Sequence, residues 1–182
     1  MPVWGWILIA VAVIVVIGLI AVAAFRRKRT SDLQRRFGPE YERALDASNG
    51  RRAAEQELRA RWDRRSHLDI RPLSPSARQS YADRWERVQA HFVDDPRDAM
   101  EQADGLITDA MRDRGYPIDD FDQRAADISI DHPDVVEHYR EAHAIGDRDD
   151  ASNDTERLRQ GIVHYRALFL ELIMPEEASE VG

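Results

Sequence analysis

The chain contains no cysteine. That excludes disulfides, thiolate zinc sites and a cysteine nucleophile, and it fits a reducing compartment. Lysine is nearly absent: of 26 basic residues only Lys28 is lysine, and the rest are arginine. The nine glycines are scattered, and none builds a loop that cradles a phosphate. No G-x-S-x-G elbow and no S-x-x-K pair occurs, so the common nucleophile motifs are missing.

Metal motifs are missing too. No two of the six histidines stand four apart, and neither H-E-x-x-H nor E-x-x-H occurs. His138 and His143 are five apart, which turns them about 140° around a helix. The acidic stretch from Asp147 has Ser152 and Leu158 where a calcium loop needs glycine and glutamate. The expectation is a protein without a metal, without a cofactor and without enzymatic activity.

What is present begins with Val3 to Phe25, an apolar run with no charge. At about 1.5 Å per helical residue it is long enough to cross a ~30 Å hydrocarbon core. Trp4 and Trp6 stand at its start, where indoles straddle the lipid–water boundary. Arg26, Arg27, Lys28 and Arg29 follow it, and no basic residue precedes it. This asymmetry predicts a single-pass cell-membrane protein with its N-terminus outside and its C-terminal domain cytoplasmic. The alternative is an exported envelope protein, with Ala21-Val22-Ala23 as a cleavage site. Against that, the apolar run is longer than the core of a signal peptide and lacks a basic start.

Charge is divided along the chain. Residues 26–65 carry a net +6 and residues 66–182 a net −14, which together give the total of −8. The basic end is attracted to a bilayer and to anionic lipid headgroups, and the acidic body is repelled by both lipid and nucleic acid. The body has no basic stripe, so nucleic acid is not an expected partner. A protein partner of unknown identity is expected instead.

Helix signals fill the rest, and no strand-like alternation interrupts them. Ser31-Asp32-Leu33-Gln34 has the form of a helix start, and Gly38-Pro39 begins a short helix that ends at Asn49-Gly50. Arg51 to His67 carries Ala54, Leu58 and Trp62 on one stripe. Ser74-Pro75 and Asp95-Pro96 each read as a cap followed by a first-turn proline. The stripes behind them are Tyr81, Trp85, Val88, Phe92 and then Met100, Ala103, Ile107, Met111, closed by Gly115. Shorter helices are expected from Asp119 to Ile128 and after His132-Pro133. Asn153 with Glu156 forms a plausible cap for the last helix, Thr155 to Met174. That helix is the most apolar and is expected at the centre.

The predicted fold is therefore all-α: a single N-terminal transmembrane helix followed by one helical-bundle domain. The expected divisions are 1–29 anchor and basic flank, 30–50 juxtamembrane linker, 51–174 bundle and 175–182 disordered acidic tail.

The most suggestive polar set is Arg71, Tyr116, Tyr139, Arg140, His143, His164 and Arg166, with Tyr165 among them. Brought together they would hold an anion or a peptide carboxylate, since arginine presents a forked pair of donors. The competing expectation is structural: tyrosines packed with their hydroxyls at the bundle edge, and arginines tied to Asp69, Asp127 or Asp131. The tripeptide His-Tyr-Arg occurs twice, at His138–Arg140 and His164–Arg166. The flanking residues do not align, so it is not read as a repeat.

Five segments carry a resemblance: Phe37–Tyr41, Leu68–Leu73, Arg114–Pro117, Asp131–Pro133 with Tyr139-Arg140, and His164–Phe169. In these the chain resembles a family of single-span bacterial proteins, mostly actinobacterial, labelled membrane or secreted and without an assigned activity. The resemblance implies an anchored helical protein and carries over no catalytic residue. The function expected is a membrane-anchored interaction or scaffold protein. The alternatives are an anchored anion or small-ligand sensor using Arg71, Arg140 and Arg166, and an enzyme without a recognisable motif.

Overall fold

A computed structural model describes residues 30–147 and 154–174, together with single residues of the first 29. Most of the expected span and of its basic flank, the 148–153 loop and the 175–182 tail lie outside the described residues. Among the described residues no helix is long and apolar enough to cross a membrane.

The described chain is helical, with no strand among those residues. Residues 30–37 are helical, followed by α1 (Pro39–Ala47), α2 (Arg51–Ser66), α3 (Pro75–His91), α4 (Pro96–Arg114), α5 (Phe121–Asp131), α6 (Val136–Gly146) and α7 (Thr155–Ile173). Two compact units result, Met1–Leu58 and Arg59–Gly182. The division falls inside α2. In the first unit Phe37, Tyr41, Ala44, Ala54 and Leu58 are buried. In the second, Arg64 and Arg65 of α2 reach the carboxylates of Asp127 and Asp131 on α5. Trp62, placed by periodicity on the same stripe as Leu58, is 41% exposed.

Local chemistry sets most helix starts. Ser74 accepts a hydrogen bond from the Ala77 amide, Asp95 from Asp98 and Asp120 from Gln123. Each satisfies an amide that the helix leaves without a partner, and each is worth about 1 kcal/mol. α7 is capped by Asp154, not by the expected Asn153. α5 starts later than expected, at Phe121, and runs on to Asp131; Asp127, Ser129 and Ile130 are among its buried residues. α6 begins only at Val136, because the chain turns from Pro133 to Val135.

The core of the second unit joins the predicted stripes. Trp85 of α3 stacks on Phe169 of α7 with ring centroids 4.6 Å apart. Met100, Ala103, Ile107 and Met111 face inward with Tyr139, Ala142, Ile162 and Leu172. α7 packs most extensively on α6 and α4 and also touches α3, which makes it the central helix. α4 and α7 approach closely at Gly161, where a side chain would meet Met100 and Ile145.

Candidate functional site

A cleft of about 300 Å³ opens beside α4, α6 and α7. Met100 and Leu158 supply apolar walls, and Arg97, Glu101, Asp104, His143 and Tyr165 supply polar ones. Asp104 is the hub. The Tyr165 hydroxyl donates to its Oδ1 at 3.1 Å, His143 Nδ1 stands 4.0 Å from the same oxygen, and Arg124 lies 3.9 Å from Oδ2. Arg124 also donates from Nε to the Tyr139 hydroxyl at 3.1 Å. His143 is held flat on Phe121, with ring centroids 3.6 Å apart. The cleft therefore presents a polar edge on which the Asp104 carboxylate, the His143 imidazole and the Tyr165 phenol stand together. Such an edge can orient a small polar ligand.

Burial raises the pKa of Tyr165, and the adjacent Asp104 charge and hydrogen bond raise it further. Burial likewise raises that of Tyr139, with Asp104 adding to the shift and Arg124 opposing it. Tyr116 and Tyr81 rise for the same first reason, burial, and through Asp131 and Asp113 respectively. A folded-state pKa above the unfolded value means that the native protein keeps protons which the unfolded chain loses. The stability these groups contribute is complete below pH about 10 and declines above it, at about 1.4 kcal/mol per pH unit for each tyrosine. We expect the melting temperature to fall steeply above about pH 10, with phenolate absorbance appearing together with unfolding. Phenolate formation near pH 10 in the still-folded protein would contradict this.

The seven sequence candidates do not converge. Arg71 lies in the loop before α3, where it pairs with Asp69 at 3.0 Å and its amide donates to the Arg114 carbonyl at 2.8 Å. Tyr116 is buried near it and donates to Asp131. Tyr139 and His143 belong to the Asp104 network. Asp104 lies ten residues, roughly 15 Å, before the end of α4 at Arg114, and Tyr116 lies beyond that end. Arg140 pairs with Glu137 at 3.1 Å, and Arg166 is exposed on α7. His164 faces His138, with the two Nδ1 atoms 2.9 Å apart. Asp69, Asp127 and Asp131 do take arginine partners: Arg71, Arg64 and Arg65.

Among the described residues, one group has metal-ligating atoms that converge: His138, Glu141 and His164. Periodicity within one helix does not reveal it, because the contact crosses from α6 to α7. The signal in the sequence was the doubled His-Tyr-Arg. His138 lies eight residues before Gly146, which ends α6, and His164 nine after Thr155, which begins α7. Two helices running back along one another bring such positions level. The tyrosines beside them also meet, with ring centroids of Tyr139 and Tyr165 6.3 Å apart. Reasoning from the sequence also missed Arg97, Glu101 and Asp104, which carry no motif.

No family model matches the chain, and neither the curated proteins nor the solved structures contain a match to it.

Proposed function

We propose that this is a membrane-anchored helical binding module. Residues 3–25 span the bilayer, Arg26–Arg29 rest on anionic headgroups, and the helical unit stands on the cytoplasmic side to engage a protein partner. The observation that carries the reading is the uncharged apolar run joined directly to four basic residues. The net −14 of residues 66–182 supports it, since an acidic body is held off the leaflet while its basic root is drawn to it. The resemblance to anchored bacterial helical proteins points the same way.

The test is protease access to a C-terminal tag on the full-length protein, in intact and in lysed cells. We expect protection in intact cells and retention in the membrane fraction after an alkaline wash. Cleavage in intact cells, or release into the soluble fraction, sinks the reading.

The small-ligand reading has one observation in its favour, the polar edge of the cleft. It shifts the binding role away from Arg71, Arg140 and Arg166, and toward His143 and Tyr165 with Asp104 and Arg97.

A further inference from the structure

We propose that His138, Glu141 and His164 form a binding site for a divalent transition metal of the zinc class, one that clamps α6 to α7. This goes beyond the anchored-module reading and does not depend on it. His138 and Glu141 are three apart on α6, so both project from one face of that helix. His164 reaches them from α7.

The donor atoms are already spaced for a metal. His138 Nδ1 and His164 Nδ1 are 2.9 Å apart, Glu141 Oε2 is 3.2 Å from His164 Nδ1, and it is 3.7 Å from His138 Nδ1. Ligand atoms about 2.0–2.1 Å from a tetrahedral zinc ion stand about 3.3 Å from one another, which is close to the mean of these three edges. A triangle with these edges has a circumradius of about 1.9 Å, so an ion at zinc bond lengths sits about 0.7 Å out of its plane. No large movement of either helix is required.

The chemistry of the set is selective. Two imidazoles and a carboxylate suit zinc, cobalt, nickel or copper, whereas magnesium and calcium want oxygen ligands throughout. Glu141 pairs with both histidines, which holds its carboxylate at the site. The side chains of His138, Glu141 and His164 are 45%, 48% and 26% exposed. The fourth tetrahedral position therefore opens to solvent, and metal can enter and leave. The Tyr139–Tyr165 contact beside the site keeps the two helices at the level that makes the triangle. His143 is excluded, because it is turned onto Phe121.

The experiment uses the full-length protein in detergent micelles, stripped of metal. Co²⁺ serves as the spectroscopic probe and Zn²⁺ as competitor and stabiliser. One Co²⁺ per chain should bind with the visible bands of a tetrahedral site, and Zn²⁺ should displace it and raise the melting temperature by several degrees. Mg²⁺ should do neither. His138→Ala should weaken binding by about 100-fold or more, since it removes a ligand rather than an outer partner worth 10–100-fold. Glu141→Gln should weaken it by about 10-fold and shrink the Zn²⁺-induced rise measured at the same metal concentration. His67→Ala, at an exposed histidine elsewhere, should leave binding unchanged. Both ligand variants alter half-exposed side chains, and helical content by circular dichroism confirms that they fold; should His138→Ala unfold, Glu141→Gln decides. The proposal is overturned if Co²⁺ binds only weakly and without saturation at one equivalent. It is equally overturned if one-equivalent binding survives in both folded ligand variants, or if no metal binds and the histidines form only a hydrogen-bonded pair.

Discussion

Replacing Phe169 with alanine should lower the stability of the helical unit by about 4 kcal/mol, the largest loss expected from a single truncation here. Phe169 is 1% exposed and lies on α7, the helix that packs on α3, α4 and α6. Its ring stacks on Trp85, which is itself 4% exposed. Truncation removes the transfer term, leaves a cavity that two rigid helices cannot close, and forfeits a ring contact worth about 1 kcal/mol. In denaturant titration the midpoint should move while the slope stays constant. In a thermal scan the midpoint should fall by roughly 10 °C or more. Val163→Ala on the same helix is the control: Val163 is 54% exposed, and a change within about 0.5 kcal/mol is expected. Equal losses at the two positions would mean that α7 does not occupy the centre.

A second large effect is expected at Gly115, and here the sign depends on backbone geometry. Gly115 ends α4 with φ 98°, in the left-handed region. A Cβ there would also collide with the backbone oxygen of Asp69. The loop that carries Asp69 is tied down by the Arg71 amide, which donates to the Arg114 carbonyl at 2.8 Å. Neither partner can move away without breaking that bond. Gly115→Ala should therefore cost about 2–4 kcal/mol, the sum of left-handed strain and a forced backbone shift. Gly105 lies within the same helix, and a Cβ there meets nothing within 4 Å. Gly105→Ala should stabilise by about 0.5–1 kcal/mol, because alanine loses less backbone entropy in a helix. Opposite signs from one substitution type on one helix test the geometry directly. A neutral Gly115→Ala would show that the loop is not seated on the end of α4.

The helices were legible because their causes are local. A cap accepts from an amide two or three residues on, a proline suits the first turn, and an apolar stripe repeats every three or four residues. Ser74-Pro75, Asp95-Pro96 and Gly115 can each be read without knowing what lies across the core. The boundaries that moved were those where local signals are weak. Asp154 and Asn153 are both good caps, and α5 continues past Ile128 to Asp131, where Ser129 and Ile130 are buried.

Arg114 shows where composition misleads. It stands three residues after Met111, the last member of the apolar stripe, and is charged. It is 2% exposed, with NH1 donating to the Leu172 carbonyl at 3.3 Å. Only the arrival of α7 beside α4 supplies that acceptor.

The amino-acid sequence alone determined that the described body is helical, where its caps and its glycine stop fall, and which apolar faces turn inward. These follow from interactions within one or two helical turns. The tertiary structure alone decided which polar side chains meet. Asp104 with Tyr165 and His143, and His164 with His138 and Glu141, are meetings between side chains of different helices. Their geometry depends on the level at which α7 settles against α4 and α6, where Gly161 lies against Met100 and Ile145 and Tyr165 against Tyr139.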